Sequence, residues 1–172
     1  MTRATALLKS VVALLLLGAA VPAQADCATP PAIARSWLAH HPGWRIVTLA
    51  DLNPDDRTWW RREKRGICPG QATARMDGSP LPYTAIALVS EKDSRDERVL
   101  LFHRAGHAPK QLVSVHQSNL AIVLRLPPGR YHGFEGGVVH SAHDAISVEF
   151  LETSSQLFYI DAGRVRNIWT SD

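Results

Sequence analysis

Apolar and polar residues alternate with a period of two along the second half of the chain. Residues 83–90 (YTAIALVS) set Ile86 and Leu88 on one face and Ala85, Ala87 and Val89 on the other. Apolar residues on both faces predict a central strand covered from two sides. Similar runs at 98–104, 111–117, 120–126, 145–151, 156–160 and 164–169 predict further strands. In the fourth of these seven runs Leu120, Ile122, Leu124 and Leu126 line one face; in the fifth, Ile146, Val148 and Phe150 alternate with Ser147 and Glu149. Charged or Gly/Pro-bearing turns separate the runs, at 91–97, 105–110 and 161–163.

The first part of the chain follows a different pattern. Ile33, Trp37 and Leu38 fall at helical spacing after Pro30-Pro31, with Thr29 as a candidate cap, and Pro42-Gly43 ends the helix. A short strand is expected at 44–49 (WRIVTL), then an Asn/Asp/Pro turn at 51–56. Asp55 or Asp56 would cap a second helical piece carrying Trp59, Trp60, Arg61, Arg62 and Lys64. The stretch 127–138 (PPGRYHGFEGGV) holds four glycines and two prolines and predicts a loop. The fold class expected is therefore α+β: an N-terminal helix packed on a largely antiparallel β-meander of seven or eight strands.

Residues 1–25 change the picture of where this protein acts. Arg3 and Lys9 precede an apolar run at 11–21 that is too short for a membrane-spanning helix, and Ala23-Gln24-Ala25 supplies small residues for cleavage before Asp26. This order predicts a secretory signal peptide, followed by a single domain at 26–172 that is periplasmic or secreted. Removing Arg3 and Lys9 takes the formal charge from +3 to +1. So weak a balance gives no field suited to nucleic acid, and no second apolar run reaches membrane-spanning length. Cys27 and Cys68, the only cysteines, are expected to form a disulfide in an oxidising compartment. A monomer is expected.

Candidate chemistry is sparse. There is no nucleophile elbow, no C-x-x-C pair and no phosphate loop, and no cofactor is implied. Candidate binding residues are Tyr131, His132, Phe134 and Glu135 in the Gly-rich loop, because loops on rigid scaffolds carry recognition, and Trp59 and Trp60 in the aromatic-basic stretch. Candidate metal ligands are His140, His143 and Asp144, a dense run just before a strand. His103 and His116, expected to be cross-strand neighbours, form a second candidate pair.

Residues 74–88 (ARMDGSPLPYTAIAL) resemble the calcium-loop segment of integrin-type FG-GAP (VCBS-like) repeats, with Asp77-Gly78 matching the central D-G and Ala85-Ile86 the strand entry. The Cys68-Pro69-Gly70 lead-in and the 144–150, 158–159 and 168–172 stretches resemble small exported bacterial proteins. The resemblance implies an exported, disulfide-linked, β-rich protein. It implies no calcium, because Arg75, Ser79 and Tyr83 stand where acidic ligands belong. The expected function is a non-enzymatic protein binding another protein or a cell-envelope polymer, inhibitor- or immunity-like by analogy. The alternative is a small metal-dependent hydrolase using the histidines.

Overall fold

The computed structural model describes Cys27 and residues 29–170, apart from 105, 106, 118 and 152. The expected signal segment, with Arg3, Lys9 and the Ala23-Gln24-Ala25 site, lies outside the described residues. The elements in order are α1 (Ala32–His40), β1 (Trp44–Ile46), α2 (Pro54–Glu63), β2 (Gln71–Ala74), β3 (Tyr83–Ser90), β4 (Asp96–Phe102) and β5 (Lys110–His116). Then follow β6 (Ala121–Leu126), β7 (Gly129–His132), β8 (Val138–Ser141), β9 (Ala145–Phe150), β10 (Ser154–Asp161) and β11 (Arg164–Thr170). The α+β class fits, with antiparallel sheet dominant and few helices.

The strands do not form one meander. β1 to β5 make a first sheet centred on β3 and β4; β11, β10, β9 and β6 make a second in that order; β7 and β8 pair only with each other. All pairings are antiparallel. Among the described residues there are eleven strands rather than seven or eight. Two of the additional ones are β7, which lies within the stretch expected to be a loop, and β8, which starts at its last residue. The third, β2, consists of four residues too small and polar to stand out by alternation.

The two faces of β3 explain the layering. Ile86 and Leu88, with Leu100 and Phe102 of β4 and Trp44 and Ile46 of β1, pack against Ile33, Ala34, Trp37 and Leu38 of α1. Ala85, Ala87 and Val89 point the other way, into the core shared with the second sheet, beside Val99, Val123, Ile146, Val148 and Phe158. The alanines here let the two sheets approach closely. The packing order is thus helix, sheet, sheet. At its start α1 has Pro31 in the cap position with no side-chain cap bond, so Thr29 does not fill that role.

β1 and β2 form one edge strand in two pieces. Both pair with β3, β1 at its C-terminal end and β2 at its N-terminal end. Between them Val47 N–H donates to Ala87 O, and Ala87 N–H donates to Gly70 O, so β3 stays paired across the join. The 22-residue excursion 48–69 carrying α2 lies between Val47 and Gly70, and Gly70 makes the join possible. A Cβ on Gly70 would stand 2.2 Å from Val47 O and 2.7 Å from Ile46 Cγ2. Gly70→Ala is therefore expected to destabilise by about 2 kcal/mol through overpacking, read as a lower urea midpoint. An unchanged midpoint would show that the join has slack.

Among the described residues no helix is long and apolar enough to cross a membrane. The expected disulfide between Cys27 and Cys68 is present. Gln71 Nε2 donates to Cys27 O at 3.0 Å beside it, docking the start of the chain against β2.

Candidate functional site

The local sequence of α2 decides which tryptophan is available. Asn53 caps the helix, its side-chain oxygen accepting the N–H groups of Asp55 and Asp56, and Pro54 occupies the first turn. The cap is Asn53 rather than either aspartate. Consecutive helical residues point about 100° apart, so only one of Trp59 and Trp60 faces the core. Trp60 is 1% exposed and its indole N–H donates to Ile67 O at 2.8 Å. It is a core residue, which removes it from the candidate binding set. Trp59 is 39% exposed. Its ring meets Trp60 edge-on, and Lys64 Nζ lies 5.5 Å from its centroid.

A groove of about 280 Å³ separates α2 from the β9–β10 hairpin. Asp56, Trp59, Glu149, Phe150, Ser154 and Ser155 line it. The β9–β10 register sets the hairpin's contribution: Phe150 pairs with Ser154 and Glu149 with Ser155. The Trp169 ring lies 6.0 Å from that of Phe150. Trp169 in turn fixes the tip of the β7–β8 hairpin, since its carbonyl accepts the Phe134 N–H at 2.9 Å and Gly133 bridges to Thr170. Trp169 is 50% and Phe134 76% exposed. Trp169 meets the Phe150 ring, Trp59 lines the same groove as Phe150, and Phe134 is tied to Trp169 through its backbone, so the three exposed aromatics form a rim beside the groove.

Of the candidates named from sequence, Trp59 and Phe134 belong to this rim. Glu135 is exposed at the hairpin tip and His132 on β7. Tyr131 is half-buried, its hydroxyl donating to Pro127 O at the hairpin root. Trp169, Asp56, Glu149 and the two serines were not anticipated. Their signal was faint: Trp169 stands in a strand whose two faces are both partly polar, the mark of a sheet edge.

The candidate metal ligands do not converge. Asp144 is buried, and its carboxylate accepts the Arg75 N–H at 2.9 Å and the Arg125 guanidinium at 3.0 Å. Burial pushes its pKa up, but these two donors outweigh it and hold the carboxyl below the usual range. His140 is exposed on β8, and the His143 imidazole lies against Gly78, where a Cβ would come within 2.6 Å of Cε1. Among the described residues no group of three His, Cys, Asp or Glu side chains is placed to hold a metal ion. The expected His103–His116 pair is also absent. The β4–β5 register puts His116 opposite Asp96, with Nδ1 2.5 Å from Oδ1, whereas His103 follows the far end of β4, stacked on Tyr83 at 4.0 Å.

The Asp77-Gly78 segment is a turn whose carboxylate is already occupied. Asp77 accepts from the Ser79 N–H at 2.9 Å and the Tyr83 hydroxyl at 3.1 Å. Burial raises its pKa, but the hydrogen bonds from Ser79 and Tyr83 together outweigh it and hold the carboxyl below the usual range. Compared with protein-family models, curated proteins and solved structures, the chain matches none.

Proposed function

We propose that this is an exported, non-enzymatic protein, periplasmic or secreted, that binds a macromolecular partner through the aromatic rim of Trp59, Trp169 and Phe134. The rim carries the proposal. Three large aromatic side chains, all more than a third exposed, are held in one region by backbone hydrogen bonds and ring contacts. Burying one such side chain is worth about 1.5–3 kcal/mol, and tryptophan is among the residues that most often dominate binding energy. Large apolar side chains left exposed in one region mark an interaction surface. The Cys27–Cys68 disulfide is compatible with an oxidising compartment.

The test compares the wild-type protein with a Trp59→Ser/Phe134→Ser/Trp169→Ser variant, each immobilised and exposed to a cell-envelope fraction with cross-linking. Wild type is expected to retain a partner at least about tenfold better than the variant, a difference of about 1.4 kcal/mol. The variant's thermal midpoint should stay close to wild type. Identical capture profiles would overturn the proposal.

A further inference from the structure

We infer that the groove between α2 and the β9–β10 hairpin is a glycan subsite, with a sugar ring stacked on Trp59; this deepens the binding proposal above by naming the ligand class. The lining combines an aromatic plate (Trp59) backed by the buried Phe150 ring, the Asp56 carboxylate, the already engaged Glu149, and two hydroxyls (Ser154, Ser155). A pyranose has the complementary surface. One face is rich in C–H groups that rest on the negative face of an indole, and its rim of hydroxyls donates to carboxylates and exchanges hydrogen bonds with serines.

The groove is built before any ligand arrives. Asn53 Nδ2 donates to Asp56 Oδ2 at 2.6 Å, fixing that carboxylate while Oδ1 is left for a ligand. Ser155 Oγ is 2.6 Å from Thr170 Oγ1. Trp59 is steadied by Trp60 and by Lys64, neither of which lines the groove. Such pre-ordering lowers the entropy lost on binding.

Charge and shape narrow the ligand. Among the described lining residues Asp56 adds a carboxylate and there is no Lys, Arg or His, so the groove suits uncharged or amino sugars and disfavours uronic acids and phosphates. A peptide adding as a strand needs a free ladder edge. Here the hairpin backbone is already paired, Phe150 with Ser154 and Glu149 with Ser155. At about 280 Å³ the groove lies just under the range of roughly 300–1,000 Å³ found for small-molecule sites. It holds a short stretch of chain, and Trp169 beside Phe150 offers a second plate to an oligosaccharide extending from it.

The experiment titrates the full chain with tri-N-acetylchitotriose, the glucosamine trimer, maltotriose and trigalacturonate, followed by tryptophan fluorescence and ligand-observed NMR. At least one of the three non-acidic trisaccharides is expected to bind below about 10 mM, with trigalacturonate silent. Trp59→Ala should weaken that binding by about tenfold or more, while Leu81→Ser, exposed and outside both groove and rim, should leave it within about twofold. No binding by any non-acidic trisaccharide overturns the inference, as does binding indifferent to Trp59→Ala. If sugars fail but the rim variant still loses a protease-sensitive partner from the envelope fraction, the glycan inference falls and the binding proposal stands.

Discussion

Replacing Cys27 and Cys68 with serine together is expected to lower stability by about 4 kcal/mol, the chain-entropy value for a loop of this length. For a domain of this size that corresponds to a drop of roughly 8–16 °C in the thermal midpoint. The crosslink spans 41 positions and encloses α1, β1 and α2. These elements form the outer layer on the first sheet, half of its split edge strand, and one wall of the groove. Without the bond, α1 is still held by its apolar face, and Gln71 still donates to the Cys27 and Thr29 carbonyls. The unfolded chain, however, gains the freedom of the whole enclosed segment. Differential scanning calorimetry of the double variant against wild type reads the loss. A midpoint within about 2 °C of wild type would show that the reduced chain is restrained by other means. Because Trp60 and its Ile67 partner lie within the enclosed segment, hydrogen exchange at α2 should rise in the variant more than at β9 or β10.

The strands that were legible in the sequence are those with a buried face repeated over several residues. β3 announced its two faces, and the structure puts Ile86 and Leu88 under α1 and Ala85, Ala87 and Val89 against the second sheet. β6 and β9 were equally clear. What periodicity does not carry is pairing. It tells which side of a strand is apolar but not which strand lies beside it, so the break between β5 and β6 that divides two sheets was invisible. β6 pairs with β9 across the intervening β7–β8 hairpin, a choice made by packing rather than by turn chemistry. The hairpin itself was masked because its inner positions, such as Tyr131 and Val139, are few, while glycines and prolines around them read as punctuation.

The site was legible only in part, for related reasons. Adjacent tryptophans in a helix must divide between core and surface, but sequence alone does not say which takes which role. Phe134 stood out as an aromatic among glycines. The groove needed a helix and a hairpin that are far apart in sequence, with Asp56 and Trp59 on α2 and the β9–β10 residues about ninety positions later. Histidine spacing misled because His140 lies on an open strand face and His143 beyond its end. Asp144 served the fold instead, tying the chain after β2 to β6 through the Arg75 amide and the Arg125 guanidinium.

Glu97→Gln is expected to stabilise the protein at pH 8 by up to about 3 kcal/mol and to leave its stability at pH 4 nearly unchanged. Glu97 lies on β4, 2% exposed, pointing toward the second sheet. Its carboxylate accepts the Ala121 N–H at 2.6 Å, while Pro69 O accepts the Val123 N–H at 2.8 Å; together they pair two N–H groups on the outer edge of β6. Burial pushes the Glu97 carboxyl up to about 7, from 4.5, and the one amide hydrogen bond only partly offsets it. The native state therefore keeps a proton that the unfolded state releases near pH 4.5. Between these two values the folded chain binds more protons than the unfolded chain, so rising pH favours unfolding. The stability associated with this proton is intact below about pH 4.5 and is lost as pH climbs through about 7. Glutamine keeps an acceptor for the Ala121 amide and never ionises, so the variant should lack this decline. All other titrating groups are common to both proteins, and the difference between their urea midpoints at pH 4, 6 and 8 isolates the Glu97 contribution. A difference that grows with pH is the expected result. Parallel curves, or a variant less stable than wild type at pH 8, would mean that the carboxylate is charged and adequately solvated where it joins the two sheets.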